Sequence, residues 1–306
     1  MNRERRPYAG VELGGTKCLC VLGTGPDDLR AEVRVATRDP ATTLGEIRTV
    51  LDGWRAEHGA FAAIGIASFG PVSLRRQAGD FGRIGTTAKP AWSGADVVGA
   101  LVRPDERRVL GLETDVNGAA LAEGRWGAAQ GLDDYAYVTV GTGVGVGLVV
   151  GGRLAGGVAH GELGHLRVAR AADDHWPGAC RFHGACVEGL ASGPAIAART
   201  GRAASDVPGT DPVWQHVAHA IAQLLQAIVY ATVPARIVVG GGVPAARPEL
   251  LPRIVAELRA CVAGYLDLDA LTGGLEDCIV PPGLGPLAGP LGALAVAADA
   301  VARAEH

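Results

Sequence analysis

Residues 8–23 read YAGVELGGTKCLCVLG, and residues 135–150 read YAYVTVGTGVGVGLVV. Laid side by side without gaps, the two share Tyr, Ala, Val and Gly at their first, second, fourth and seventh positions. Each is an apolar run, a glycine-containing turn and a second apolar run, the pattern of two strands joined by a tight hairpin. Two hairpins of one design, 127 residues apart, predict two domains built on a common plan.

Working outward, the remaining segments alternate between strand and helix. FAAIGIASFGPV (61–72) predicts a buried strand running into a Gly-Pro turn. RRVLGLETDVNGAALAEGRWG (107–127) predicts a short strand, a polar turn and a helix opened by Asp115 and Asn117. DPVWQHVAHAIAQLLQAIVYATV (211–233) carries apolar residues at helical spacing, and Pro234 then leads into RIVVGGGVP, a strand ending in glycines. The tail GPLGALAVAADAVARA predicts another helix. The class is α/β.

The chain has 306 residues, 48% of them hydrophobic, with a mean hydropathy of +0.20, enough for two domains with sizeable cores. Its 28 basic and 32 acidic residues are interspersed without a basic run, so binding of nucleic acid through phosphate neutralisation is not expected. The start, MNRERRPYAG, lacks the apolar run of a signal peptide, and no stretch holds eighteen consecutive apolar residues. The expectation is a cytoplasmic protein with no membrane span. The six cysteines do not form the dense framework of a small secreted domain. Cys18 and Cys20 alternate within an apolar run and read as buried strand thiols. Lysine occurs only at positions 17 and 89, arginine supplying every other basic side chain. Against that coding bias the two lysines are candidates for places that need a compact ammonium.

Three glycine-rich turns follow strands: LGGTK (13–17), VGTGVGVG (140–147) and VGGGVP (239–244). Without a Cβ, backbone amides can converge on a phosphate oxygen. LGGTK lacks the Walker spacing and neither hairpin opens a helix with GxGxxG, so the turns point to a nucleotide site of another type. CRFHGAC (180–186) places Cys180, His183 and Cys186 three residues apart, a set suited to zinc. The fourth ligand is open among His160, His165 and His175, of which His175 is nearest in sequence.

The two phosphate hairpins, TDVN, E-x-GH, the Cys/His cluster followed by EG, and VGGGV occur in one order. Together they resemble the sugar kinases of the ROK family over nearly the whole chain, and within it the bacterial fructokinases most. Glu12 where most members carry Asp, SFGPV (68–72), KPAW (89–92) and the C-x2-H-x2-C spacing carry that finer similarity. Thr114, where most members have Asn, is a departure. The resemblance implies an actin-like ATPase (ribonuclease H-like) fold with duplicated domains and a cleft between them. The domains would be residues 1–116 joined by the helix 288–306, and residues 117–287.

The resemblance further implies ATP-dependent phosphorylation of a hexose, with fructose to fructose 6-phosphate expected ahead of mannose or glucose. A non-catalytic sugar sensor or repressor is the alternative of another class, and it is disfavoured because only seven residues precede the first strand and Asp115 is present. From the turn alone Asp115 reads as a helix N-cap; the resemblance makes it the general base. It assigns Glu162, His165 and Glu188 to the sugar, with Asn117 supporting the turn. Gly14, Gly15, Thr16 and Lys17, with Thr142 and Gly143, fall to the ATP phosphates. Gly240, Gly241 and Gly242 would face the adenosine, and Pro194 in the SGP turn is a further nucleotide candidate. His165 becomes the fourth ligand of a structural zinc with Cys180, His183 and Cys186. Magnesium is implied by the ATP chemistry, with Glu12 in its outer shell, and a homodimer by the habit of similar kinases.

Overall fold

Strand pairing in the computed structural model, which describes residues 6–304, repeats the plan read from the two hairpins. The expectation about the chain start falls partly on residues 1–5, outside the described residues. The chain forms two units. One holds the described residues up to Trp126, Gly156–His160, and those from Leu287 onward; the other holds Gly127–Ala155 and Gly161–Pro286.

In the first unit, β1 (Tyr8–Leu13), β2 (Lys17–Gly25) and β3 (Asp28–Ala36) run antiparallel, and β4 (Ala63–Ser68) and β5 (Leu110–Thr114) extend the sheet in parallel from β1. The order is β3-β2-β1-β4-β5. Helix α1 (Pro40–His58) is capped by Asp39, whose side chain accepts the Thr42 amide at 3.0 Å. It buries Leu44, Ile47, Leu51 and Trp54, one stripe at helical spacing. Each such side chain contributes about 1.5–3 kcal/mol on burial. Helices α2 (Val97–Leu101) and α3 (Asp115–Trp126) complete the early part of this unit.

The second unit repeats the order with β6 (Tyr135–Val140), β7 (Val144–Val150), β8 (Arg153–Leu154), β9 (Arg236–Gly240) and β10 (Ile279–Val280), as β10-β9-β6-β7-β8. Again β6 pairs antiparallel with its hairpin partner and parallel with the strand that follows a long crossover. Its helices are α4 (Val187–Ala191), α5 (Gly193–Thr200), α6 (Val213–Thr232), α7 (Gly242–Ala246), α8 (Leu250–Val262), α9 (Leu268–Thr272) and α10 (Leu275–Cys278). A second core forms around Trp214, Ile221, Leu224 and Ile228 of α6, Val138 and Val140 of β6, Ile237 and Val239 of β9, and Ile254 and Leu258 of α8.

The last helix, α11 (Ala288–Ala304), returns to the first unit. Gly10, Gly65 and Gly111 are paired in register across β1, β4 and β5 and leave a shallow trough for it. A Cβ built on Gly65 would fall 1.9 Å from the Ala293 carbonyl oxygen, and one on Gly111 2.2 Å from that of Val296. By length and composition, residues 285–304 form the one helix among those described that could cross a membrane. In the fold it is a core helix, buried at Leu291, Leu294 and the alanines around them.

The division differs from the expected boundary after residue 116. Helix α3 stays with the first unit because Gly118 meets Gly292 of α11 so closely that a Cβ on Gly292 would lie 2.5 Å from the Gly118 carbonyl carbon. Residues 156–160 join the same unit through His160, whose Nε2 accepts the Val72 amide at 3.1 Å.

Candidate active site

Register decides where the first unit's functional candidates lie. Leu13 pairs with Ser68 and Ser68 with Thr114, so β1, β4 and β5 end side by side at their carboxyl edge. Ligands of open parallel sheets bind beyond that edge. The Gly14–Lys17 turn follows β1 there, and Asp115 follows β5. The Gly14 amide donates to the Lys17 carbonyl at 3.2 Å, and a Cβ on Gly14 would lie 2.6 Å from that oxygen, so the turn requires glycine.

The strand-to-helix junction corrects the N-cap reading of Asp115. No polar turn intervenes, and the cap is Thr114, whose Oγ1 accepts the Asn117 amide at 3.2 Å. Asp115 Oδ1 accepts the neighbouring Val116 amide at 2.9 Å. Asn117, buried, donates from Nδ2 to Glu113 at 3.0 Å, a supporting contact of the kind expected of it. Burial pushes the Glu113 carboxyl above its ordinary range, with the Asn117 hydrogen bond opposing.

Glu12 lies one residue before the end of β1, with its carboxyl packed over Gly289 near the start of α11; a Cβ there would lie 2.2 Å from Oε1. Burial, and then the charge of Asp115, push its pKa up to about 7, while Lys17 pulls it down. Burial and the neighbouring negative charge both favour the protonated form of this carboxyl.

In the second unit, β6, β9 and their turns form a matching edge. Thr139 pairs with Gly240, and the Gly141 amide closes the hairpin onto the Gly143 carbonyl at 2.8 Å. The Gly193 amide donates to the Gly141 carbonyl at 2.8 Å, which seats Pro194, at the start of α5, beside the hairpin. Gly241 has φ of 97°, and a Cβ on it would lie 2.4 Å from the Val140 carbonyl oxygen, so the VGGGV turn is pressed against the same hairpin. Thus Thr142, Gly143, Pro194 and Gly240–Gly242 gather on one sheet edge. Glu188 joins them: its Oε2 accepts the Val144 amide at 3.2 Å and would lie 2.6 Å from a Cβ on Gly143.

Ligand atoms of His165, Cys180, His183 and Cys186 all lie within 4.8 Å of one another. Nδ1 of His165 is 3.7 Å from Cys180 Sγ and 3.6 Å from Cys186 Sγ, and Nδ1 of His183 is 3.7 Å from Cys180 Sγ. A zinc tetrahedron with Zn–S of about 2.3 Å and Zn–N of about 2.0–2.1 Å has S···N edges of roughly 3.5–3.6 Å. The donor set therefore fits zinc in kind and in spacing. The knuckle is shaped by reciprocal hydrogen bonds of 3.1 and 2.8 Å between Cys180 and Gly184. Burial, and the adjoining Cys180, push the Cys186 thiol up to about 11. His160, at the Val72 amide, and His175 are not in this group. The second segment is tied in through the Val187 amide, which donates to the Leu166 carbonyl at 3.0 Å, and through an antiparallel bridge of Arg167 with Cys186, so Cys186–Val187 pair with the residues that directly follow His165. Nδ1 of His165 is 3.9 Å from Glu188 Oε1.

Two glycine hairpins, a carboxylate at a strand end and a Cys/His knuckle, on a duplicated α/β plan, agree with the ROK family profile, which matches residues 8–300. The chain belongs to the ROK family. It is 38% identical to a fructokinase of Zymomonas mobilis, covering 97% of this chain and 98% of that one. It is 37% identical to a fructokinase of Pediococcus pentosaceus, covering 96% and 98%. Among solved structures it is similar to a ROK family glucokinase from Streptomyces griseus in complex with glucose and AMPPNP, with a TM-score of 0.69, 26% identity, and coverage of 96% and 99%. The ROK fold is the actin-like ATPase fold, and the repeated strand order of the two units is its signature here.

Two residues of the first edge went unassigned in the sequence. Thr37 donates from Oγ1 to the Gly14 carbonyl at 2.8 Å, and Lys89 donates to the Gly15 carbonyl. The scarcity of lysine flagged Lys89; nothing in the sequence flagged Thr37.

Proposed function

We propose that this ROK-family chain is a fructokinase, transferring the γ-phosphoryl group of ATP to the 6-hydroxyl of fructose. The observation that carries this reading is the shared carboxyl edge of β1 and β5, with a glycine phosphate turn and Asp115 on it, in a chain similar to fructokinases over nearly their full length.

Asp115 accepts the proton of the attacking hydroxyl. That oxygen forms a bond to the γ-phosphorus, the bond from phosphorus to the β–γ bridging oxygen breaks, and ADP leaves with the bond's electrons. A hydroxyl is a weak nucleophile at neutral pH, so a positioned carboxylate acts mainly in the transition state. Gly14–Lys17, with Thr142 and Gly143, hold phosphates through backbone amides and the Lys17 ammonium, and Pro194 and Gly240–Gly242 flank the nucleoside. Magnesium bound with ATP would neutralise phosphate charge, and Glu12 is the residue that would support it from the outer shell. Glu162, Glu188 and Nε2 of His165 accept or donate to sugar hydroxyls, the other histidine nitrogen being taken up in the knuckle. Zinc held by His165, Cys180, His183 and Cys186 would have a closed protein shell, so its contribution is to tie the segment carrying Glu162 to the one carrying Glu188.

Steady-state assays with MgATP and fructose, mannose and glucose test the proposal. A higher kcat/KM for fructose is expected. Equal or better use of glucose or mannose reassigns the sugar, and no turnover with any hexose replaces the kinase by a sugar sensor.

A further inference from the structure

Both lysines of this arginine-rich chain come to one turn. Lys17 ends the Gly14–Lys17 turn, and Lys89, 72 residues later, puts its ammonium on the Gly15 carbonyl of that turn. Lys89 belongs to KPAW, and the loop bearing it is firmly held. Buried Trp92 donates from Nε1 to the Arg38 carbonyl at 2.8 Å and meets the Phe69 ring edge-on at 5.1 Å, while the Trp92 amide donates to the Lys89 carbonyl at 2.9 Å. Arg38 adjoins Thr37, which is the turn's other clamp. Thr37 Oγ1 donates to the Gly14 carbonyl at 2.8 Å, and the Thr37 amide donates to the Thr16 carbonyl at 3.1 Å. With the Lys17 carbonyl held by the Gly14 amide, each carbonyl from Gly14 to Lys17 is engaged by a donor.

A trans peptide is planar, with C=O and N–H pointing in opposite directions. Drawing the Gly14 carbonyl to Thr37 therefore aims the Gly15 amide away from Thr37. Drawing the Gly15 carbonyl to Lys89 aims the Thr16 amide away from Lys89. Glycine peptides flip readily because no Cβ resists. A flip of the Gly15–Thr16 peptide would present a carbonyl oxygen to phosphate, a repulsive contact in place of an attractive one.

We propose that Lys89 is a positioning residue for the nucleotide: with Thr37 it latches the Gly14–Lys17 turn with its amides, not its carbonyls, toward phosphate. This rests on the kinase reading above, since it takes that turn to be a phosphate site. A compact ammonium suits the task, because it can saturate one carbonyl and add positive charge near the turn without a planar group to accommodate.

The test compares the full-length wild type with Lys89→Met, Lys89→Arg and Thr37→Val, measuring MgATP affinity calorimetrically without sugar, KM for MgATP and for hexose, and melting temperature. Lys89→Met removes a charged hydrogen bond while keeping the aliphatic stem, so MgATP binding should weaken by roughly 10- to 100-fold, with hexose KM within about twofold. Lys89→Arg should restore part of the loss, since it keeps a cationic donor. Thr37→Val should act in the same direction, and the double variant should lose less than the product of the two, because both hold one turn. MgATP affinity within about twofold of wild type in a folded Lys89→Met protein overturns the proposal, as does a rise in hexose KM alone, which would make Lys89 a sugar contact. If Lys89→Met unfolds, the same readouts on Lys89→Arg and Thr37→Val decide it. A wild type that binds MgATP in a Lys89-dependent manner but phosphorylates no hexose keeps the latch and removes the kinase reading; one that binds no nucleotide removes both.

Discussion

Replacing Asp115 by Asn separates the chemical role of this side chain from its structural one. Helix α3 is capped by Thr114 Oγ1 at 3.2 Å from the Asn117 amide, which the substitution leaves in place. The hydrogen bond that the Val116 amide donates to Asp115 Oδ1 at 2.9 Å can be kept by the Asn carbonyl. Folding stability should therefore change by no more than about 0.5 kcal/mol, the range for substitutions that break no buried feature. Loss of a general base should lower kcat by roughly 10²–10⁴-fold, with MgATP affinity within about twofold of wild type. A second readout follows from Glu12. Its pKa stands at about 7 in part because Asp115 is charged, so Asp115→Asn should lower it. In the metal-free wild type, Glu12 is raised from 4.5 to about 7, so its folded form retains the proton that the unfolded chain gives up. Its stabilising effect is complete below pH 4.5 and is lost as pH rises to about 7. Asp115→Asn should narrow that window. The assays are steady-state kinetics with saturating MgATP and melting curves from pH 4.5 to 8. Near-normal kcat in a well-folded variant would show that the proton goes elsewhere.

Purified protein should contain about one zinc per chain, and Cys180→Ser should lower zinc content and melting temperature together; elemental analysis finding no zinc in fresh protein would remove the metal site. Glu12→Gln should flatten the loss of stability between pH 4.5 and about 7, and an unchanged pH profile of melting would deny Glu12 its raised pKa. Gly143→Ala places a methyl 2.6 Å from Glu188 Oε2 and should push that carboxylate off the hairpin, raising hexose KM with little change in melting temperature; unaltered kinetics would detach Glu188 from the sugar. Gly65→Ala drives a methyl to 1.9 Å from the Ala293 carbonyl, backbone that can yield only if α11 shifts. It should cost roughly 1–3 kcal/mol or more, and chemical denaturation showing no loss would refute the close seating of α11.

The sequence by itself determined the duplicated α/β plan, because each hairpin carries its strand periodicity and turn glycines locally in YAGVELGGTK and YAYVTVGTGV. It also determined the chemistry of CRFHGAC, where ligand type and three-residue spacing are local properties. Tertiary structure decided what depends on register and packing. That Asp115 ends on the same sheet edge as the Gly14–Lys17 turn, with β4 between their strands, follows from the pairing of Leu13, Ser68 and Thr114 on three strands, which no single segment encodes. That His165, and neither His160 nor His175, joins the cysteines depends on the pairing of 166 with 187 and on His160 being drawn to Val72. Helix α3 remained with the first unit because two glycines meet, a contact invisible to periodicity. Thr114 took the cap that Asp115 was expected to hold, since Ser, Thr, Asp and Asn all cap by one hydrogen bond and only the exact start of the helix chooses among them. The convergence of Lys89 and Thr37 on one turn is of the same kind: the residues are legible one at a time, but which carbonyl each donor reaches is settled by the folded chain.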